Sequence, residues 1–281
     1  MTVESRDLSN YDGEPVTLYE FWRRSVPTLT GVPVLTYWRY TSADRNYTLG
    51  SDLYTALAIS DDGVRQAGDA ASDQLTITMP ASAAVPLLFV GSPPSDPIHG
   101  TIRRTHAGEA DAFIVWTGLV GMVSRAEGIA ASVVCNTLSA TLDRTGLRLS
   151  WSRNCPHALY DTECRADPTG FYVTGTVSAL TGAVVGASIF GSLPVGRLDG
   201  GFLEWIEADG HAERRGIVEH GGTNIRLLGT TDRITVGMTV YAFFGCNRTR
   251  AVCNAVFGNL VNFGGHAYMP DKSPFSGDLI F

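Results

Sequence analysis

Four of the five cysteines in this chain of 281 residues fall into two short pairs. Cys155 and Cys164 form the first pair, and Cys246 and Cys253 form the second. Cysteine thiolates bind zinc and iron–sulfur clusters, and two thiols can also oxidise to a disulfide. The two pairs are therefore the first candidates for chemistry in the sequence.

The spacing within the pairs leaves three interpretations open. Disulfides need an oxidising compartment, whereas the N-terminal residues show no apolar run after a basic start that would direct secretion. Structural zinc sites usually separate paired ligands by about two to four residues, but the gaps here are eight and six residues. Such gaps favour an iron–sulfur cluster, which four thiolates hold at varied spacing, and zinc remains the alternative. The fifth cysteine, Cys135, is predicted to be a small buried residue within a strand.

The composition is that of a folded protein, with 44% hydrophobic and 17% charged residues. A formal charge of −7 repels phosphate backbones, so nucleic-acid binding is not expected as the main task. No apolar segment reaches the length of a membrane span, and we expect no membrane anchor. We expect a protein made in a reducing cytoplasm, where paired cysteines indicate metal or redox chemistry more often than disulfides.

Alternating β-branched and aromatic residues between glycines and prolines predict a mainly β fold. The segment Gln74–Met79 is the cleanest strand of period two. Two long strands, Phe113–Val123 and Ala131–Leu142, are close enough in sequence to form a hairpin, which suits a barrel or a ring-forming sheet. A short helix, broken at Pro86, is predicted within Ala81–Phe89. Further strands are predicted at Pro15–Phe21, Val34–Tyr40, Ile98–Thr105 and Leu147–Trp151.

The pattern of residues changes near residue 150, where we place a boundary between a scaffold domain (1–150) and a second domain (151–281). Cys246 directly follows the last predicted strand, and Arg248–Phe257 is the best helix candidate in the chain. The predicted strands of the second domain are Phe171–Leu180, Gly201–Ala208, Ala212–Glu219, Asn224–Leu228 and Thr239–Phe244.

Enzyme signatures are weak throughout. The six histidines show no paired-ligand spacing, and Gly186–Gly191 is one residue too long for a Gly-x-Ser-x-Gly nucleophile turn. Glu204, Glu207 and Asp209 are interpreted as a solvated face or an interface. We therefore expect no enzyme activity, and a peptidoglycan hydrolase is the enzyme class left open.

The residues around the cysteines resemble a known family. The first pair lies in Cys155-Pro156-His157-Ala158-Leu159-Tyr160-x3-Cys164, and the second follows Gly245. Downstream the chain reads Phe257-Gly258-Asn259-Leu260-Val261-Asn262-Phe263-Gly264-Gly265, then Met269-Pro270. This pattern resembles the C-terminal hub domain of bacteriophage tail tips. It is also similar to the hub protein of gene transfer agents and, more distantly, to the tail tip protein L of lambda-like phages.

The resemblance implies a [4Fe–4S] cluster whose ligands are Cys155, Cys164, Cys246 and Cys253, with Cys135 excluded. It also implies that the first half is a tail-tube-like β-barrel or sandwich and that the second half is a β-rich domain clipped by the metal cluster. In this interpretation the protein is a structural virion component, the baseplate hub at the tip of a long non-contractile tail, assembled in the host bacterial cytoplasm. It would form a homotrimer and link the tail tube and distal tail protein to the central tip or fibre protein.

Three further expectations concern the surroundings of the cysteines. His157 is predicted to be a hydrogen-bond donor near the ligands or a packed loop residue, not a ligand. Tyr160, Phe257 and Phe263 are predicted to form an apolar wall that keeps water from the cluster. Family members often have Gly or Pro in the middle of the first cysteine loop, where this chain has Asp161-Thr162-Glu163.

Overall fold

The computed structural model describes residue 6 and the ranges 13–64, 74–126, 128–138, 146 and 151–270. The chain divides into two units, each with its own core. Unit 1 comprises Met1–Val26 and Val32–Thr145, and unit 2 comprises Pro27–Gly31 and Gly146–Phe281. The predicted strand Leu147–Trp151 falls almost wholly outside the described residues. None of the helices among the described residues is long and apolar enough to cross a membrane.

Unit 1 is built on one sheet of nine strands, in the order β3-β4-β2-β1-β7-β8-β9-β6-β5. All neighbouring strands are antiparallel except β2 and β4, which are parallel. Among the described strands the sheet is open, since it begins at β3 and ends at β5. The mainly β fold is as predicted, and the tail-tube-like barrel or sandwich is seen only as this one open sheet. The strands are β1 (Pro15–Ser25), β2 (Val34–Thr41), β3 (Tyr47–Leu49), β4 (Asp52–Ala56), β5 (Ser60–Asp61), β6 (Leu75–Pro80), β7 (Ile98–His106), β8 (Phe113–Ala126) and β9 (Ala130–Thr137).

The core of unit 1 follows the alternation that the sequence predicts. Leu75, Ile77 and Met79 lie on one face of β6, and each is only 1% exposed. Strands β8 and β9 form the predicted hairpin, with a register shift between Val120 and Met122. Such a bulge leaves one residue unpaired and increases the local twist of the sheet. Alternation in β6 therefore places these three side chains in the main core of unit 1, together with Val133 and Cys135 of β9.

A short helix, α1 (Ala84–Leu87), lies between β6 and β7. The sequence predicts a helix broken at Pro86, but Pro86 lies inside α1 and is buried. Proline is tolerated there because the first-turn N–H groups of a helix have no intrahelical partner to lose.

Unit 2 is built on an antiparallel sheet of seven strands, in the order β10-β16-β13-β14-β15-β12-β11. Its core includes Phe190, Leu203, Trp205 and Ala242, all of them fully or almost fully buried. The strands are β10 (Tyr172–Thr176), β11 (Ala179–Thr181), β12 (Val184–Gly186), β13 (Phe202–Ile206), β14 (Ala212–Gly221), β15 (Asn224–Leu227) and β16 (Thr239–Phe243). Outside the sheet are helix α2 (Arg250–Ala255) and the 3-10 segments Pro168–Gly170, Ser188–Ser192 and Leu260–Asn262.

The strand predicted at Phe171–Leu180 is divided in two. Strand β10 pairs with β16, whereas β11 pairs with β12. Val177 N–H donates to the carbonyl of Met238 at 2.9 Å, and Ser178 N–H donates to that of Gly186 at 2.8 Å. The chain therefore changes partner between these two residues without losing its alternation, which is why one strand was predicted.

The interpretation of Glu204 as part of a solvated face is wrong. Its side chain is 1% exposed and accepts a hydrogen bond from Arg214 Nε at 2.8 Å. It also accepts from Thr28 Oγ1 at 2.6 Å and from the Thr28 N–H at 3.1 Å. A buried carboxylate is tolerated only when such donors replace water. Residues Pro27–Gly31 of unit 2 therefore supply part of the environment that Glu204 requires.

Candidate metal centre

The four paired cysteines line one cavity in unit 2, with a volume of about 60 Å³. We call it the cysteine cavity. Cys253 is buried and the other three are half-buried. All four are free thiols, namely Cys155, Cys164, Cys246 and Cys253. The structure thus brings the two sequence pairs together, and Cys135 lies instead in the core of unit 1.

The carboxylate of Asp161 holds the first cysteine loop in shape. Its Oδ1 accepts hydrogen bonds from the backbone N–H of Cys164 at 2.6 Å and of Glu163 at 3.0 Å. Its Oδ2 accepts one from the N–H of Ala158 at 3.1 Å. An Asp side chain that accepts from backbone groups two or three residues onward forms an Asx turn. Asp161 therefore determines where the backbone of Cys164 lies.

Two glycines allow the segment before Cys246 to approach a neighbouring turn. A Cβ atom on Gly245 would lie 1.8 Å from the carbonyl oxygen of Asp199, a distance that no side chain can occupy. Gly200 lines the cysteine cavity and has φ +77°, a left-handed conformation that favours glycine. The position of Cys246 therefore depends on a close approach of two backbones.

Helix α2 carries the fourth cysteine into the cavity. Thr249 is its N-cap, and its Oγ1 accepts from the N–H of Val252 at 3.3 Å. Asn247 Oδ1 in turn accepts from the N–H of Thr249 at 3.1 Å. Cys253 is the buried residue of this helix. The helix is shorter than the predicted Arg248–Phe257, because the cap places its first residue after Thr249.

The backbone of Arg248 contacts both pairs. Its N–H donates to Cys246 Sγ at 3.3 Å, and its carbonyl accepts from the N–H of Cys155 at 2.8 Å. Arg248 adopts φ +62°, which is uncommon for a residue with a side chain. This turn therefore connects the first cysteine of one pair to the first cysteine of the other.

The C-terminal end of α2 brings Asn259 to the cavity. Gly258 has φ +57°, its N–H donates to the carbonyl of Asn254, and the N–H of Asn259 donates to that of Cys253, each at 3.0 Å. The bond from the left-handed Gly258 to Asn254, four residues back, is an αL cap, and the bond from Asn259 reaches one residue further back, to Cys253. The side-chain Nδ2 of Asn259 then donates to the carbonyl oxygen of Cys164 at 2.5 Å.

His157 is a packed, hydrogen-bonded loop residue, as predicted. Its Nδ1 donates to the carbonyl oxygen of Asn262 at 3.1 Å. A Cβ atom on Gly264 would lie 2.3 Å from His157 Nε2, so a side chain at this position would force the ring to move. The Asn-x2-Asn-Phe-Gly-Gly segment therefore packs against the first cysteine loop.

Aromatic rings surround the first cysteine loop. The ring of Tyr160 contacts those of Phe257 and Phe202, each with centroids 6.1 Å apart, and its hydroxyl donates to the carbonyl of Phe244 at 2.8 Å. Phe257 lines the cysteine cavity, in agreement with the predicted wall. Phe263 instead lines a neighbouring groove. Of the three predicted wall residues, Phe257 lines the cysteine cavity, Tyr160 packs against Phe257, and Phe263 lines the other groove.

Burial raises the pKa of the two thiols in the second pair. For Cys253 the neighbouring Cys246, Cys155 and Cys164 raise the pKa further, because each added thiolate repels the next. For Cys246 the burial effect and the repulsion from Cys164 and Cys155 outweigh the hydrogen bond from Arg248 N–H, which lowers the pKa. In the metal-free chain both thiols therefore stay protonated at neutral pH, and a bound cation would have to displace their protons.

Two observations on the cavity differ in what they imply for a metal. Among the described residues, no three His, Cys, Asp or Glu side chains are grouped tightly enough to hold one ion. The four thiols nevertheless line a single cavity and influence one another electrostatically. A zinc ion needs each sulfur at about 2.3 Å from one point, whereas a cluster offers each sulfur a different iron atom. The metal clip itself remains a prediction.

Sequence reasoning missed Asp161 and Asn259. Asp161 stood out only as a departure from the family pattern, although an Asp three residues before a cysteine in a short loop is a recognisable Asx-turn signal. Asn259 was part of the quoted motif, but nothing in the sequence indicated that its side chain would reach Cys164.

Two protein-family models match the chain. Residues 35–167 match "Baseplate hub protein, N-terminal attachment domain", and residues 196–273 match "Phage conserved hypothetical protein BR0599". Among solved structures, a chain of "Virion of native gene transfer agent (GTA) particle" has a TM-score of 0.77 at 17% identity, over 99% of this chain and 97% of that chain. This identity shows a shared fold. No curated protein sequence matches the chain.

The comparisons support one class of protein, a structural component of phage-type virions. Within that class the chain resembles baseplate hub proteins, so the resemblance stated from the cysteine motifs is confirmed. The matches are to structural proteins, which agrees with the expectation of no enzyme activity without deciding it.

Proposed function

We propose that this protein is the baseplate hub at the tip of a long non-contractile tail. In this role it joins the tail tube and distal tail protein to the central tip or fibre protein. The match of residues 35–167 to a hub attachment domain and the fold similarity over 99% of the chain support the assignment. The tail tip of the virion is then its site of action, after assembly in the host cytoplasm.

We further propose that a [4Fe–4S] cluster occupies the cysteine cavity as a folding clip. The observation that carries this proposal is the convergence of four free thiols on one cavity. Cys155, Cys164, Cys246 and Cys253 would hold the cluster, which supplies four metal–thiolate bonds between two segments distant in sequence. Because a site of this kind is absent from the unfolded chain, binding energy becomes folding energy.

Three features favour a cluster over zinc, the alternative guest. The gaps of eight and six residues exceed the usual spacing of zinc pairs. The cavity, at about 60 Å³, is several times the roughly 10–15 Å³ that one water needs. Its aromatic neighbours and the backbone donor Arg248 N–H at Cys246 Sγ provide the apolar shell and the N–H···S contact that such clusters use.

The test of the cofactor is purification of the full chain without oxygen. The expected result is brown protein with broad visible absorption and four iron and four sulfide per chain, lost in Cys246→Ser and retained in Cys135→Ala. Colourless protein with one zinc per chain would overturn the cluster in favour of zinc. Protein with neither metal, in which the thiols react freely with a thiol reagent, would overturn both.

The proposed homotrimer rests on the resemblance, because a hub must join a six-fold tube to a narrower tip. A closed ring of identical chains uses one repeated contact, so its size is discrete. Light scattering of the iron-loaded protein is expected to give three times the chain mass of 30.1 kDa. A monomer at concentrations well above those of tail assembly would contradict the trimer and leave the cofactor proposal intact.

A further inference from the structure

Asn259 is bonded to both cysteine pairs. Its side-chain Nδ2 donates to the carbonyl of Cys164 at 2.5 Å and lies 3.8 Å from Cys164 Sγ. Its backbone N–H donates to the carbonyl of Cys253 at 3.0 Å, and its own carbonyl accepts from Cys253 Sγ at 3.3 Å. One residue thus contacts the last cysteine of each pair.

The orientation of the Asn259 amide is fixed by its neighbours. Its Oδ1 accepts from Asn262 Nδ2 at 2.6 Å, and the carbonyl of Asn262 accepts from His157 at 3.1 Å. If the amide were flipped, two NH₂ groups would face each other and Oδ1 would face the carbonyl of Cys164. Both contacts are repulsive. The N–H of Asn259 therefore points toward Cys164 in the metal-free chain.

We infer that Asn259 is the positioning residue that links the last cysteines of the two pairs and directs an N–H toward the sulfur of Cys164. The inference rests on the proposed cluster. A metal-bound sulfur carries negative charge, and an N–H beside it stabilises that charge. Because reduction adds further negative charge, such a donor raises the reduction potential of a cluster. Asn259 then affects both how long the cluster is retained and how easily it is reduced.

The test compares Asn259→Asp and Asn259→Leu with a matched control, Asn254→Asp. Asn259→Asp keeps the size but replaces the donor by a carboxylate. Asn254 is an exposed residue of α2, the helix that precedes Asn259, and does not line the cavity, so its variant adds the same charge outside it. Full chains are loaded anaerobically with iron and sulfide. The measurements are the rate of loss of visible absorption to an iron chelator and the midpoint potential.

The loss of one hydrogen bond of about 1.4 kcal/mol corresponds to a tenfold change in a rate. We therefore expect cluster loss about tenfold faster in Asn259→Leu and faster still in Asn259→Asp, with a lowered midpoint potential in both. Asn254→Asp is expected to match the wild type. If both Asn259 variants fail to fold, the same two measurements are made on Asn262→Ala. This variant leaves Asn259 in place and removes the hydrogen bond from Asn262 that orients its amide.

The failures of this inference and of the proposed function can be told apart. A wild-type chain that takes up no cluster overturns the cofactor and this inference together. A wild-type chain that binds the cluster, while both Asn259 variants match Asn254→Asp in retention and potential, overturns only the role of Asn259.

Discussion

Replacing one of the four cysteine ligands is expected to destabilise unit 2, and the size of the effect can be calculated from the length of the loop that the cluster closes. Cys164 and Cys246 are 82 positions apart, and the cluster closes the loop between them. For a covalent cross-link over a loop of this length, the chain-entropy relation gives about 4.5 kcal/mol. With a urea m-value of about 3 kcal/mol per molar, Cys246→Ser would lower the unfolding midpoint of unit 2 by roughly 1.5 M.

The assay must report on unit 2 alone, because two units need not unfold together. Hydrogen exchange followed by mass spectrometry, at increasing urea and without oxygen, gives the protection of peptides from β13 and β16. Iron-free wild type is expected to match Cys246→Ser within about 1 kcal/mol, since a serine hydroxyl replaces a half-buried thiol at small cost. Cys135→Ala is the control, because it alters the core of unit 1 and leaves the ligands in place.

The reasoning is refuted if the wild-type chain carries the cluster and yet unit 2 has the same midpoint as in Cys246→Ser. A clip that adds no stability would mean that the two cysteine segments are already held together by protein contacts alone. The bonds made by the backbone of Arg248 and by Asn259 would then be sufficient.

Three further outcomes are expected. Burial raises the pKa of Cys135 from near 9 to about 12. The stability of unit 1 is therefore expected to fall by about 1.4 kcal/mol per pH unit as the pH rises from 9 towards 12. Cys135→Ala should remove this slope, and an unchanged slope would contradict the prediction. Gly245→Ala is expected to destabilise unit 2 by more than about 2 kcal/mol in urea unfolding, whereas Gly170→Ala, where a Cβ meets nothing within 4 Å, should be neutral. Glu204→Gln is expected to cost about 2 kcal/mol because the buried Arg bond loses its charge, and equal effects of Glu204→Gln and the exposed Glu219→Gln would refute the role of burial.

The strand pattern was largely predictable because alternation directly reports which face is buried. Four of the five strands predicted in the second half lie within a few residues of β13, β14, β15 and β16. The division of Phe171–Leu180 was not predictable, because a change of hydrogen-bond partner leaves the alternation of side chains unaltered. The short strand β12 was not predicted either, because three residues are too few to show an alternation of buried and exposed side chains.

The candidate site was predictable in its ligand types but not in its supporting contacts. Cysteine pairs are visible in a sequence because thiols are rare and their spacing is restricted. The environment of Glu204 was not visible, because its partner Thr28 lies 176 positions away. Asn259 presents the same difficulty, since its contact with Cys164 spans 95 positions and depends on how two loops meet.

The assignment of Pro27–Gly31 to unit 2 has a consequence for how the protein is made. Thr28 leaves the ribosome 176 residues ahead of Glu204, which at about 5–20 residues per second is a delay of roughly 10 to 35 s. Throughout that interval the segment Pro27–Gly31 has been synthesised, but the part of unit 2 that contains Glu204 has not. Unit 2 is therefore not one continuous stretch of gene, and a recombination event that exchanged residues 146–281 between related viruses would leave this early segment behind.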